Sequence, residues 1–281
     1  MIEPPQDLGD QVAAALLEDV GSGDVTARLV PEAQQARGRV ITREDAVLCG
    51  RPWVDETFRR LDPTIRIDWQ ARDGDRMRAD RVVFGIRGRA RPVLTGERTA
   101  LNFLQLLSGT ATHTRQYVDA VAGTGCTILD TRKTLPGLRT AQKYAVRCGG
   151  AHNHRIGLFD MVLIKENHIA AAGSIAGAIV AAKRASPGLR IEVEVESLAG
   201  LEEALGAAPD IVMLDNFDNA EIAQAVAFTR ARSATVQLEA SGNVSLETVR
   251  AIAATGVDYI SVGSLTKHVR ALDLSMRFEF A

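Results

Sequence analysis

No charge surplus marks this chain. It has 281 residues with 33 Lys and Arg against 35 Asp and Glu, so it lacks the sustained cationic excess that binds nucleic acid or an anionic membrane surface. Any anion site must therefore be local. The three cysteines, Cys49, Cys126 and Cys148, are odd in number and lack close metal-type spacing. Reduced thiols in a cytoplasmic protein are expected, with neither disulfide nor zinc. The N-terminal stretch MIEPPQDLGD has no basic start and no apolar run, which reads as no secretory signal. The longest apolar run, residues 169–182, falls short of the roughly 20 residues needed to span a bilayer and reads as one tightly packed helix. Trp53 and Trp69 have no basic flanks, so they read as core residues rather than stacking platforms.

One local concentration of cations stands out. LDTRKTLPGLRTAQKYAVRCGGAHNHRIGLFD, residues 129–160, carries Arg132, Lys133, Arg139, Lys143, Arg147 and Arg155, with no acid between Asp130 and Asp160. Arg139, Lys143 and Arg147 recur at i, i+4 spacing and read as one helix face turned to solvent or to a partner. His152 and His154 at i, i+2, without a third ligand, read as a loop feature.

From Cys126 onward, short apolar runs alternate with Ala-rich helical stretches. The runs are residues 127–129, 161–164, 191–195, 211–214, 236–238 and 259–262, and the helices include 198–207, 220–231 and 245–255. Asp218 and Glu221 suit a capping box at one helix start. Alternation of this kind implies right-handed parallel βαβ units that either close into a barrel or form an open sheet, and in a barrel the polar residues at the C-terminal strand ends face one mouth. Residues 1–110 read instead as a smaller α+β domain, with a helix at 8–18, short strand-like runs and a helix at 98–107. The alternating segment LDLSMRFEF suggests that 270–281 return to that domain, leaving 111–269 as the barrel.

The strand ends supply three groups. Arg132, Lys133, Arg155 and Lys165, with Thr131 and His154 beside them, form an anion-binding set. Glu194 and Asp215 offer hard oxygen ligands for a divalent ion. Glu192, Glu194 and Glu196 share one strand face, and spacing alone does not say which reaches the mouth. Ser241-Gly242-Asn243 and Val262-Gly263-Ser264 follow the last two strands, where glycine lets backbone N–H groups approach a phosphate. A purely structural ion-pair reading of these acids and bases stays open. Arg98, placed in the first turn of its expected helix, faces the positive end of the macrodipole, a position that suits an arginine aimed at an anion.

Taken together, EDVGSGDVT, LTGERTALNFLQ, LDTRKTLPGLR, HNHRIGLFD, LIKENHI, EVEVE, MLDNF, SGNV and SVGSLTKH resemble the quinolinate phosphoribosyltransferase family almost end to end. The resemblance implies an N-terminal α/β sandwich joined to an incomplete TIM-like barrel of about seven strands. It further implies a cytoplasmic enzyme of NAD biosynthesis and a homodimer in which Arg98 enters the neighbouring site. It assigns Arg132, Arg155 and Lys165, with His154 nearby, to the two carboxylates of quinolinate. Lys133 matches a phosphate contact, Glu194 and Asp215 the acids near Mg²⁺ and ribose, and the two glycine loops the 5-phosphate site. The implied reaction joins quinolinate to phosphoribosyl pyrophosphate, giving nicotinate mononucleotide, pyrophosphate and CO2. Three other readings stay open: the same fold with another aromatic substrate, as in molybdenum-uptake operons; a Schiff-base aldolase using Lys165; and a non-catalytic sensor of a phosphorylated ligand.

Overall fold

The structure, a computed structural model, describes residues 2–280. In chain order it runs α1 (Leu8–Val20), β1 (Gln35–Thr42), β2 (Ala46–Val47), α2 (Arg51–Leu61), β3 (Arg66–Trp69), β4 (Arg76–Met77), β5 (Val82–Arg89) and α3 (Ala90–Ala120). Next come β6 (Thr127–Leu129), α4 (Arg139–Cys148), β7 (Val162–Ile164), α5 (Glu166–Ala172), α6 (Ile175–Ala185), β8 (Ile191–Val195), α7 (Leu198–Ala207) and β9 (Ile211–Asp215). The chain continues through α8 (Asn219–Arg232), β10 (Gln237–Ser241), α9 (Val249–Ala253), β11 (Tyr259–Ser261), α10 (Ser264–Lys267) and β12 (Leu274–Phe280). Among the described residues, no helix is long and apolar enough to cross a membrane.

Two compact units result. The first comprises the residues up to Arg115, Thr134–Gly150 and the residues from Leu265 onward; the second comprises Gln116–Lys133 and Ala151–Ser264. In the first, an antiparallel sheet of order β12-β1-β5-β3 is built with the closing segment as its edge strand. Its inward residues Val40, Phe84 and Ile86 pack with Val54, Phe58, Leu101 and Leu104. A second apolar group joins Val12, Trp53, Phe103, Leu107, Tyr144 and Ala145. Trp53 is fully buried, whereas Trp69 is half-buried, with its ring centroid 4.6 Å from that of Phe84.

Helix α3 is far longer than residues 98–107, and the reason lies in two glycines that look like breakers. A Cβ at Gly96 would stand 2.6 Å from Leu61 Cδ1, and one at Gly109 would stand 2.1 Å from the carbonyl oxygen of Arg270. Both keep the helix close to its neighbours, so packing outweighs the roughly 1 kcal/mol propensity cost of each. Pro92 sits in the first turn, where its missing N–H costs nothing. Arg98 therefore lies two turns beyond the start of α3, exposed, and the expected clash with the helix dipole is corrected. Lys143 also differs from expectation. Every residue of α4 from Ala141 to Val146 is buried, Lys143 included, so only Arg147 of the three cations presents an exposed face.

The second unit is the incomplete barrel: six parallel strands in the order β6-β11-β10-β9-β8-β7. Where about seven strands were implied, the segment at His152 makes only an isolated parallel bridge to Leu129. Ile128, Val193, Val212, Leu214, Leu238 and Ile260 fill the interior of the sheet, as expected for strands covered on both faces. Helix starts are strongly marked. Asp218 Oδ1 accepts from the N–H groups of Ala220 and Glu221 at 2.8 Å, while Asp218 N donates to Glu221 Oε2 at 2.9 Å. The apolar run at 169–182 is not one helix: Gly173, with φ +82°, ends α5, and Ser174 Oγ caps α6 by accepting from Gly177 N at 2.9 Å.

Candidate active site

Parallel register brings the strand ends together. Asp215 pairs with Ser241, and Glu194, Met213 and Glu239 form one row across β8, β9 and β10. Above them lies a cavity of about 300 Å³. Its wall carries the cations Arg132, Lys133, Arg155 and Lys165, the acids Glu194, Asp215 and Glu239, the hydroxyls of Thr131, Ser241 and Ser261, and His154. The anion set read from the sequence is thus gathered in one mouth with the two acids proposed for metal. Of the three glutamates on one strand face, Glu194 lines the cavity, Glu192 is fully buried and Glu196, just past β8, is exposed.

Electrostatics favour an anion here. Burial and then the nearby positive charge of Arg132 push the Arg155 pKa down. Arg132 Nε is buried with no hydrogen-bond partner among the described residues. Two desolvated, like-charged guanidinium groups are stabilised when a dianion enters between them. Lys133 N donates to Thr131 Oγ1 at 3.1 Å, and the Lys133 side chain passes over Gly263, where a Cβ would stand 3.3 Å from Lys133 Cδ. Lys165 Nζ donates to Glu194 Oε2, so this lysine is paired rather than isolated.

The two glycine loops are tightly constrained. Gly242 has φ +102°, and a Cβ there would stand 2.2 Å from Asn216 Oδ1. Asn216 and Asn243 also take positive φ, +58° and +49°, and Asn216 N donates to Ser241 O at 3.0 Å. Val262 buries its side chain and donates its N–H to Leu129 O at 2.9 Å, while Ser264 Oγ lies 3.3 Å from Tyr117 Oη. At Val262, then, only main chain is free to serve a ligand.

At the cavity floor His154 meets two buried acids, Glu192 and Glu239, for which the sequence suggested no role. His154 Nε2 lies 2.8 Å from Glu192 Oε2 and 3.5 Å from Glu239 Oε2, and both glutamate side chains are 0% exposed. Distance is satisfied but alignment is not: no donor is well aligned with any of the four carboxylate oxygens. Burial pushes the Glu192 pKa up to about 7. Burial and the charge of Glu192 push Glu239 up to about 8. The legible signal was an acid at Glu192 inside a run that otherwise reads as buried strand.

The chain has close relatives. Residues 24–108 match the quinolinate phosphoribosyl transferase N-terminal domain, and residues 110–277 match the C-terminal domain. It is 44% identical over 274 residues, 95% of each chain, to the nicotinate-nucleotide pyrophosphorylase [carboxylating] of Mycobacterium leprae. It is 38% identical over 297 residues, 98% of this chain and 83% of the other, to quinolinate phosphoribosyltransferase [decarboxylating] 1b of Nicotiana tabacum. Its fold matches the nicotinate-nucleotide pyrophosphorylase structure from Francisella tularensis with a TM-score of 0.93 and 46% identity, over 99% of this chain and 98% of that one. With both domains matched in order, the chain belongs to the quinolinate phosphoribosyl transferase family.

Proposed function

We propose that this chain transfers the phosphoribosyl group of phosphoribosyl pyrophosphate to quinolinate, with loss of CO2, giving nicotinate mononucleotide and pyrophosphate. The observation that carries the reading is that Arg132 and Arg155 line one cavity with Lys133 and the two acids Glu194 and Asp215. Guanidinium groups fork onto carboxylates and stay charged, so they hold an aromatic dicarboxylate in one orientation. Lys165, already paired with Glu194, closes the same end. Lys133 and the loops at Ser241-Gly242-Asn243 and Val262-Gly263-Ser264 take the phosphates.

The chemistry asks for little covalent help. As pyrophosphate leaves, positive charge grows on C1 of the ribose, and the ring nitrogen, held in line by the arginines, attacks it. The pyridinium so formed stabilises the electron pair left on C2 when the adjacent carboxylate departs as CO2, and a proton taken up from water at C2 completes the nicotinate ring. Carboxylating and decarboxylating names for relatives describe the two directions of this one step. Glu194 and Asp215 are hard oxygen ligands at the cavity wall, and two carboxylates suit Mg²⁺, which keeps waters and binds through substrate phosphates. They would hold the ion, which when bound would neutralise the leaving pyrophosphate. We further infer a cytoplasmic homodimer in which the exposed Arg98 of one copy enters the other's site.

A Schiff-base aldolase is the weaker reading, because Lys165 is ion-paired with Glu194 rather than isolated in an apolar pocket. The deciding experiment incubates the protein with quinolinate, phosphoribosyl pyrophosphate and Mg²⁺ and follows CO2 and the nucleotide. Product from nicotinate but none from quinolinate would overturn the assignment.

A further inference from the structure

Two carboxylates with no exposure are a standing cost in any interior, since removing a charged or polar group from water without aligned partners is unfavourable. Glu192 sits on β8 and Glu239 on β10, with β9 between them, and both are directed at one imidazole. That imidazole, His154, has a hydrogen bond at Nδ1 and a carboxylate within 2.8 Å of Nε2. Its Nδ1 accepts from the main-chain N–H of Arg155 at 2.8 Å, which requires a lone pair there and places the ring proton on Nε2. Nε2 in turn faces Glu192 Oε2. Two more bonds hold the same loop: Asp130, fully buried at the end of β6, accepts from His154 N at 2.9 Å and from Asn153 Nδ2 at 2.7 Å.

We propose that Glu192 and Glu239 are positioning residues for Arg155, acting through His154. The carboxylate pair fixes the ring, the ring fixes the Arg155 N–H, and Asp130 fixes the turn that precedes it. Arg155 needs such support because Arg132, on the same cavity wall, carries the same charge, and the side-chain bond from Arg155 Nη1 to Met161 O is a long 3.5 Å. His154 thus serves the dicarboxylate end of the cavity from behind. This inference rests on the reaction proposed above for the identity of the ligand, and for the wiring on the Arg155 N–His154 Nδ1 bond together with the close approach of His154 Nε2 to Glu192.

The test uses the full-length protein. Glu192→Leu removes the acceptor, whereas Glu192→Gln keeps an amide oxygen that can take the Nε2–H. Calorimetry with quinolinate and with phosphoribosyl pyrophosphate, each alone, should show the Leu variant weakened about tenfold for quinolinate and less than about twofold for phosphoribosyl pyrophosphate, with Gln recovering most of the loss. Steady-state kinetics should place the effect on KM for quinolinate rather than on kcat. Equal weakening for both ligands, or no weakening in a folded Leu variant, overturns the proposal. Because a leucine there can fail to fold, ¹⁵N imidazole spectra of the wild type give a second reading: Nδ1 unprotonated and Nε2 protonated supports it, and the reverse tautomer overturns it whatever the variants do. Stoichiometric divalent metal in the purified protein, lost in Glu239→Gln, would overturn it in favour of a metal-held cluster. A wild type that turns over no quinolinate would remove the assigned reaction while leaving the tautomer test standing.

Discussion

Among the described residues, each unit holds one trio of His, Cys or acidic side chains with potential ligand atoms within 4.8 Å of one another, and the two trios are wired in opposite ways. In the first unit it is Cys49, Asp73 and Cys148. There Asp73 accepts from the N–H groups of Gly50 and Arg51, at 3.1 and 3.2 Å, and from Tyr144 Oη at 2.8 Å. Burial and the neighbouring Cys148 push the Cys49 thiol up, so it stays protonated and unreactive. In the second unit the acids of His154, Glu192 and Glu239 have no aligned donors from the fold. An acid whose partners are supplied by its own backbone stabilises a structure. Acids left facing one imidazole beneath a cavity are better explained by the ligand end they support.

Breaking the cavity side should give the largest effect. Arg132→Ala removes one fork of the proposed dicarboxylate clamp, and charge-assisted bonds contribute about 1.5–3 kcal/mol each, so quinolinate affinity should fall by about a hundredfold or more. Binding of phosphoribosyl pyrophosphate should change far less; equal losses in calorimetry would detach Arg132 from the carboxylates. On the first-unit side, Asp73→Ala strands three donors and should cost roughly 3 kcal/mol in urea unfolding, with kcat of the folded protein unchanged. A fully stable variant would remove the structural reading of that trio.

Smaller effects sharpen the contrast. Gly242→Ala forces a Cβ against Asn216 at a positive φ, so about 1–3 kcal/mol of stability should be lost, together with affinity for phosphoribosyl pyrophosphate. Both losses are readable in one thermal-shift titration, and an unchanged variant would mean the loop tolerates movement. The subtlest test is pH. Glu239 has a folded pKa raised to about 8 from its ordinary 4.5, so the folded state holds the proton more tightly than the unfolded chain. Stability should therefore decline as pH rises between these values, and Glu239→Gln should flatten that decline. A wild type and variant with parallel pH–stability curves would show that Glu239 ionises as freely folded as unfolded.

Much of the second unit was legible residue by residue. The edges of β6, β8 and α7 coincide with the runs and helices read from the sequence, because an apolar run followed by a cap is a local signal. In the first unit local signals misled. Gly96 and Gly109 weaken a helix in isolation yet permit the close packing that makes α3 31 residues long. Lys143 reads as a surface cation by charge and spacing, but α4 is covered on nearly every side. Gly173 acted in the opposite sense, splitting a run whose apolar composition suggested continuity.

By itself the sequence determined which residue types stand at the ends of parallel strands, and its motifs carried the family. Both depend on neighbours close along the chain. Tertiary structure alone decided that Glu192 is buried while Glu194 meets the cavity, that Arg132 and Arg155 line one wall, and that Glu239 approaches the same imidazole as Glu192 across an intervening strand. Strand curvature and register across β8, β9 and β10 set those distances, and no spacing within one segment encodes them.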